Sequence, residues 1–124
     1  LAERFTTAAA DLFQGPYPQG ADVIILGHIL HDWHDPECQT ILRHCFDALP
    51  AHGLLLVVEK VLNNDFSGAQ VGLMMDLHML VVSDAGARER SEAEYRTLLE
   101  QAGFQTTEVM RLDAPRDLIV ACKK

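Results

Sequence analysis

Ala21-Asp22-Val23-Ile24-Ile25-Leu26-Gly27 and, further on, Leu54-Leu55-Leu56-Val57-Val58-Glu59 are the stretches that decide the fold. Each is a short, unbroken apolar run rich in β-branched residues, the pattern of a strand buried on both faces of a parallel sheet. Between them, Cys38, Ile41, Leu42, Cys45, Phe46 and Leu49 recur at three-four spacing and predict one apolar helical stripe over 36–49. Asp35 before Pro36 reads as its N-cap, and Pro50-Ala51-His52-Gly53 as its end. Strand, helix, strand make a right-handed crossover, and in such sheets ligands gather beyond the carboxyl ends of the strands. The polar residues after Leu26 and Val58 therefore carry the functional interest.

Outward from this unit, Gln14 to Gly20 holds two prolines and two glycines and reads as a loop. Residues 66–82 form a Met- and Leu-rich helix, broken by Ser83-Asp84-Ala85-Gly86-Ala87. Ser91 with Glu94 matches a capping box, and Tyr95, Leu98, Leu99 and Ala102 make the inner stripe of a third helix that Gly103 stops. Thr106 to Leu112 and Leu118 to Cys122 flank a turn at Ala114-Pro115-Arg116 and predict an antiparallel hairpin. The expected order is strand, helix, strand, helix, helix, strand, strand, one α/β domain over 1–124.

Composition bounds the function. The chain has 48% apolar and 23% charged residues, ordinary for a folded protein. Its formal net charge of −8 repels nucleic acid and anionic lipid, and no run reaches the roughly 18 apolar residues of a membrane span. Cys38, Cys45 and Cys122 are an odd set without a C-x-x-C pair, which predicts reduced thiols and a cytosolic setting.

The densest polar cluster, His28-Ile29-Leu30-His31-Asp32-Trp33-His34-Asp35, directly follows the first strand. A histidine there is a base near neutral pH, because its ordinary pKa of about 6.5 leaves the neutral form abundant. Glu59, at the end of the adjacent strand, and Glu89, before the third helix, are the acids this topology brings to the same edge. Either can accept the other ring N–H and set the tautomer. Alternatives stand beside these roles: Glu59 paired with a neighbouring lysine, and Glu89 in a solvated cluster with Arg88 and Arg90.

His31-Asp32-Trp33-His34-Asp35, then Leu49-Pro50-Ala51-His52-Gly53 running into the strand that ends at Glu59, then Arg88-Glu89-Arg90-Ser91-Glu92, together resemble the carboxyl-terminal domain of the plant caffeate and flavonoid O-methyltransferases. Acetylserotonin and bacterial polyketide O-methyltransferases belong to the same group, and the resemblance runs over nearly the whole chain. It implies a partial Rossmann-like class I methyltransferase fold, a mostly parallel sheet with an antiparallel C-terminal hairpin. It also implies S-adenosyl-methionine as cofactor and a small, hydroxyl-bearing aromatic acceptor. His31 is then the general base and Glu59 and Glu89 the groups that hold its imidazole. Asp11, in Ala10-Asp11-Leu12-Phe13, matches an acidic residue at the adenine end of the cofactor, although Ala10 stands where the family has glycine. Leu12 takes the position that packs on the adenine, and Gly27 stands where some relatives carry a lysine near the cofactor. Asp32 would line the pocket beside the base.

The resemblance further implies that a Gly-rich cofactor loop and a helical dimerisation domain precede Leu1. The chain would then be the C-terminal portion of a catalytic domain, unable to bind cofactor well alone, from a homodimeric protein. Met74, Met75 and Met79 either line a flat acceptor's pocket, which adaptable thioethers suit, or pack the core. Two other functions remain open: a metal hydrolase using His28, His31 and His34 with Asp32 and Asp35, and a non-catalytic scaffold retaining the fold. For the methyl transfer itself no metal is expected.

Overall fold

The two apolar runs lie side by side. β1 (Val23–Gly27) pairs in parallel with β2 (Leu54–Glu59), Val23 opposite Leu54 and Gly27 opposite Val58, with α1 (Asp35–Ala48) as the crossover. The computed structural model describes residues 2–67, 70–82 and 86–124, without the side chains of Ala2, Val71, Leu80, Val82, Thr106 and Thr107. After β2 come β3 (Val61–Leu62), α2 (Gln70–Val82), β4 (Arg90–Ser91), α3 (Glu92–Gln101), β5 (Gln105–Met110) and β6 (Asp117–Cys122). The hairpin is antiparallel as expected, and β6 inserts beside β2, so the sheet runs β1-β2-β6-β5.

Among the described residues the sheet is not mostly parallel: β1–β2 pairs in parallel, while β2–β6 and β6–β5 are antiparallel. The short β5–β6 link cannot make the long crossover that a parallel return requires. Nor are both faces of the strands buried. β2 alternates, and in β1 Ile25 is 64% exposed while Leu26 is buried. The core forms on one face, where Leu26, Leu55, Val57, Ile119 and Ala121 meet Cys38, Ile41, Leu42 and Cys45 of α1 and Tyr95, Leu98 and Leu99 of α3. Burial pushes the Cys38 and Cys45 thiols up to about 11 and about 12, so both serve as inert core residues.

Asp35 is not the N-cap of α1. His34 holds that position with extended backbone and no capping bond, and Asp35 begins the helix because Arg90 takes its carboxylate at 2.8 and 3.1 Å. Phe66 and Ser67 are not helical, since Asp65 caps a turn by accepting from the Ser67 amide and hydroxyl, and Phe66 has φ +56°; the described part of α2 is Gln70–Val82. The expected break at Ser83-Asp84-Ala85 lies outside the described residues. At Ser91 the capping box is complete, its hydroxyl accepting from the Glu94 amide while its own amide donates to the Glu94 carboxylate. Gly103 follows α3 at φ +100°, the left-handed region that favours glycine.

Two short strands escaped the sequence reading. β3 and β4, two residues each, pair in parallel with Val61 opposite Arg90. They matter out of proportion to their length, because Glu59 ends β2 just before β3 and Glu89 immediately precedes β4.

Candidate functional site

The chain leaves β1 at Gly27, turns through His28 at φ +56°, and makes one 3₁₀ turn at Leu30–Asp32 before α1. Buried Glu59 reaches across from β2 to hold this turn, its Oε1 accepting from the Ile29 and Leu30 amides at 3.0 and 2.9 Å. Its Oε2 lies 3.4 Å from His31 Nδ1. Glu89 approaches the same nitrogen from the β4 side, its Oε1 at 3.2 Å, and the His31 carbonyl accepts from the Arg88 amide at 2.9 Å. His31 is itself only 6% exposed.

Two buried carboxylates facing one ring nitrogen favour the proton on Nδ1, which in the neutral ring leaves the lone pair on Nε2. On that side stands exposed Asp32, with Oδ1 3.4 Å from Nε2. The hydrogen bond to Glu89 raises the His31 pKa above its ordinary value; burial opposes the rise, and the charges of Glu59, Glu89 and Asp32 add to it. Burial pushes Glu59 up to about 7, against the pull of His31 and the two amides. The result is an imidazole with a raised proton affinity, its Nδ1 facing two acids.

The alternative partners for the acids do not operate. Lys60 pairs with Asp117 at 3.2 Å rather than with Glu59. Arg88 pairs with Glu94, and Arg90 with Asp35. The fully buried Arg90 guanidinium also donates to the Leu30 and Trp33 carbonyls at 2.8 and 2.7 Å, clamping both ends of the turn that carries His31. Sequence reading missed this role, because Arg90 stands in the charged run Arg88-Glu89-Arg90-Ser91-Glu92 and nothing local sets it apart from its neighbours. It also missed Asp76, which accepts the Glu89 amide at 2.9 Å and is the sole acid of the apolar helix α2.

Asp11 is exposed and accepts the Phe13 amide at 2.8 Å, and half-buried Leu12 packs against the core. Their segment is tied to the His31 turn through Phe13, whose ring meets Trp33 edge-on at 4.8 Å. Gly27 is exposed, and a Cβ placed there meets nothing within 4 Å, so the end of β1 opens on free space. A groove of about 330 Å³ borders Glu89, walled by Phe66, Leu73, Asp76, Leu77 and Ala87. Half-buried Met75 and buried Met79 are not among its walls; Leu73 and Leu77, four apart, are.

The histidine trio is not assembled as a metal site either. Asp35 is engaged by Arg90, and the His34 ring lies against Gly86. Among the described residues, the His, Cys, Asp and Glu side chains whose ligand atoms all lie within 4.8 Å are His28, His31 and Glu59.

The sequence profile of the O-methyltransferase domain family matches residues 1–105. The chain belongs to this family. It is 44% identical over 119 residues to 3-amino-4-hydroxybenzoate 4-O-methyltransferase of Streptomyces cremeus, an alignment covering 96% of this chain and 32% of that protein. With acetylserotonin O-methyltransferase of Bos taurus it shares 37% over 121 residues, 98% of this chain and 34% of that one. Human N-acetylserotonin methyltransferase, solved in complex with SAM, superimposes at TM-score 0.86 with 31% identity, covering 98% of this chain and 36% of that chain. CalO1, a methyltransferase in calicheamicin biosynthesis solved in its SAH-bound form, gives 0.89 with 30% identity, covering 99% and 35%. The fold is that of these class I methyltransferases, and the chain spans about a third of the length of the relatives it matches. No helix of the described residues is long and apolar enough to cross a membrane.

Proposed function

We propose that this chain is the C-terminal portion of the catalytic domain of an S-adenosyl-methionine-dependent O-methyltransferase, with His31 as general base. The observation that carries the reading is His31 Nδ1, held 3.2 and 3.4 Å from two buried carboxylates so that Nε2 is left as the basic atom. Family membership supports the reaction class, and the names and SAM- or SAH-bound states of the relatives support the cofactor. S-adenosyl-methionine, when bound, supplies an electrophilic methyl group to the deprotonated acceptor oxygen. The rim fits such a ligand: Gly27 leaves the end of β1 open, and Asp11 and Leu12 stand on a segment braced against Trp33.

The chain's own residues perform the rest. His31 Nε2 takes the proton of the acceptor hydroxyl; Glu89 and Glu59 stabilise the imidazolium that forms; Asp32 flanks the same nitrogen. Glu59 and Arg90 together keep the turn in place while the charge moves. The groove beside Glu89, with Phe66, Leu73 and Leu77 as apolar walls and Asp76 and Arg88 as charged ones, suits a flat, partly apolar acceptor, in keeping with the hydroxybenzoate of the Streptomyces relative's name. A homodimeric assembly and a cytoplasmic setting complete the reading; the family resemblance supports the first and three free cysteines the second.

The test is His31→Gln in the complete protein. Turnover falls by about 10² to 10⁴-fold, the usual contribution of a positioned base, while calorimetric affinity for S-adenosyl-methionine is retained. Unchanged turnover refutes the base assignment.

A further inference from the structure

Beside the base the structure holds a second histidine for which proton transfer has no use. His28 projects from a left-handed turn at the end of β1, its ring edge-on to His31 with centroids 5.0 Å apart. Its Nε2 is buried without a hydrogen-bond partner, and so is Glu59 Oε2. One ligand atom from each of His28, His31 and Glu59 falls within a 4.8 Å span, and His31 Nδ1 and Glu59 Oε2 are already 3.4 Å apart. That is about the edge of a tetrahedron around an ion with bonds of roughly 2.0 to 2.1 Å.

We propose that His28, His31 and Glu59 form an inhibitory site for a Zn²⁺-class divalent ion, one that removes His31 from service as base. The proposal rests on the base reading above. Two imidazoles and one carboxylate are donors of the kind that suit Zn²⁺ rather than Mg²⁺, and three protein ligands leave the fourth position to water. The surroundings complete the site. Glu59 Oε1 stays anchored by the Ile29 and Leu30 amides, which fixes the ligating carboxylate. Coordination through Nδ1 moves the His31 proton to Nε2, where Asp32 Oδ1 at 3.4 Å can accept it, the carboxylate–histidine–metal arrangement. A protonated Nε2 cannot take a proton from an acceptor, so the occupied site is a blocked base. Glu89 and Asp32 add negative charge around the cation, and half-buried Arg116 opposes it, its Nη2 lying 3.4 Å from His28 Nδ1. Metal binding requires that His28 carry its proton on Nδ1, so Arg116 must turn away.

The experiment uses the complete protein, ZnCl₂ as probe and MgCl₂ as control, with calorimetry as a readout independent of turnover. One Zn²⁺ binds per chain and Mg²⁺ does not compete; Zn²⁺ suppresses turnover, and a chelator restores it. His28→Asn, which keeps a residue tolerant of the left-handed turn, weakens Zn²⁺ binding by at least about tenfold and relieves inhibition to match. Arg116→Ala tightens binding. Absence of stoichiometric Zn²⁺ binding, equal affinity in His28→Asn, or weaker affinity in Arg116→Ala overturns the site. Should Zn²⁺ bind as described while His31→Gln turns over normally, the base reading fails and the inhibitory consequence with it. Co²⁺ in place of Zn²⁺ gives a visible absorption band of a tetrahedral N/O site in the parent and none in His28→Asn; a band unchanged by that substitution also overturns the assignment.

Discussion

At His31 two carboxylates meet one N–H, and the surplus of negative charge sets the titration of the whole cluster. Because the hydrogen bond to Glu89 is the largest upward influence on His31, the rising limb of kcat/KM against pH lies above the ordinary histidine value of about 6.5. In Glu89→Gln that limb moves to lower pH and the plateau falls, by less than in His31→Gln because the base remains. A pH profile of the two proteins checks both, and a limb that stays put removes Glu89 from the site. Stability follows the same protons. Glu59 is raised to about 7, so between its unfolded value of about 4.3 and that point the folded chain holds a proton the unfolded chain releases. Its contribution is present at low pH and is lost as pH rises through about 7. His31, also raised, loses its contribution in the same direction, above 6.5. In Glu59→Gln the decline of denaturant stability across this window is shallower; an unchanged slope contradicts the assignment.

Among the elements, the least conspicuous decide the most. β3 and β4 are two residues each, yet their parallel pairing lies beside Glu59 and Glu89, whose carboxylates meet at one nitrogen of one imidazole. Arg90 belongs to this pairing and hands its guanidinium to Leu30, Trp33 and Asp35 at once. Lysine carries a point charge and cannot reproduce that fork. Arg90→Lys therefore destabilises the protein by about 3 kcal/mol, with turnover reduced through a loosened His31 turn, as denaturant titration beside kinetics will show. Ser91→Ala, which removes half of the capping box at the start of α3, costs about 1 kcal/mol and leaves the site geometry in place. Thermal melting with unaltered kcat checks that separation. Comparable losses of activity in the two variants would deny Arg90 its special part.

For the whole molecule, the groove proposed to take the acceptor is assembled from α2, the Phe66 turn and the strand entry at Ala87 to Glu89, so no single element defines it. Leu77 lies on its wall and is 61% exposed. Leu77→Asp puts a charge where a flat apolar acceptor would lie, and should raise the acceptor KM about tenfold or more while S-adenosyl-methionine affinity holds. An unaltered KM would place the acceptor elsewhere.

The crossover unit, the α3 capping box and the terminal hairpin are read from the amino-acid sequence through local signals: apolar runs, three-four spacing and a cap three residues from its partner. The nomination of Glu59 follows from an acid ending a strand, whereas that of His31 among three histidines rests on the family resemblance. Asp35 was misplaced as a cap because its partner, Arg90, lies 55 residues away, beyond any local pattern. Of the methionines, Met79 is buried and Met75 half-buried, in keeping with the core-packing alternative, while exposed Leu73 and Leu77 border the groove; which face a helix turns inward is set by what packs on it. Burial of only one strand face, antiparallel insertion of β6 beside β2, and the Arg90 clamp were likewise decided by tertiary structure alone. Long-range pairing chooses among partners that many sequences could offer, and only the assembled fold shows which hydrogen bonds and charges are satisfied.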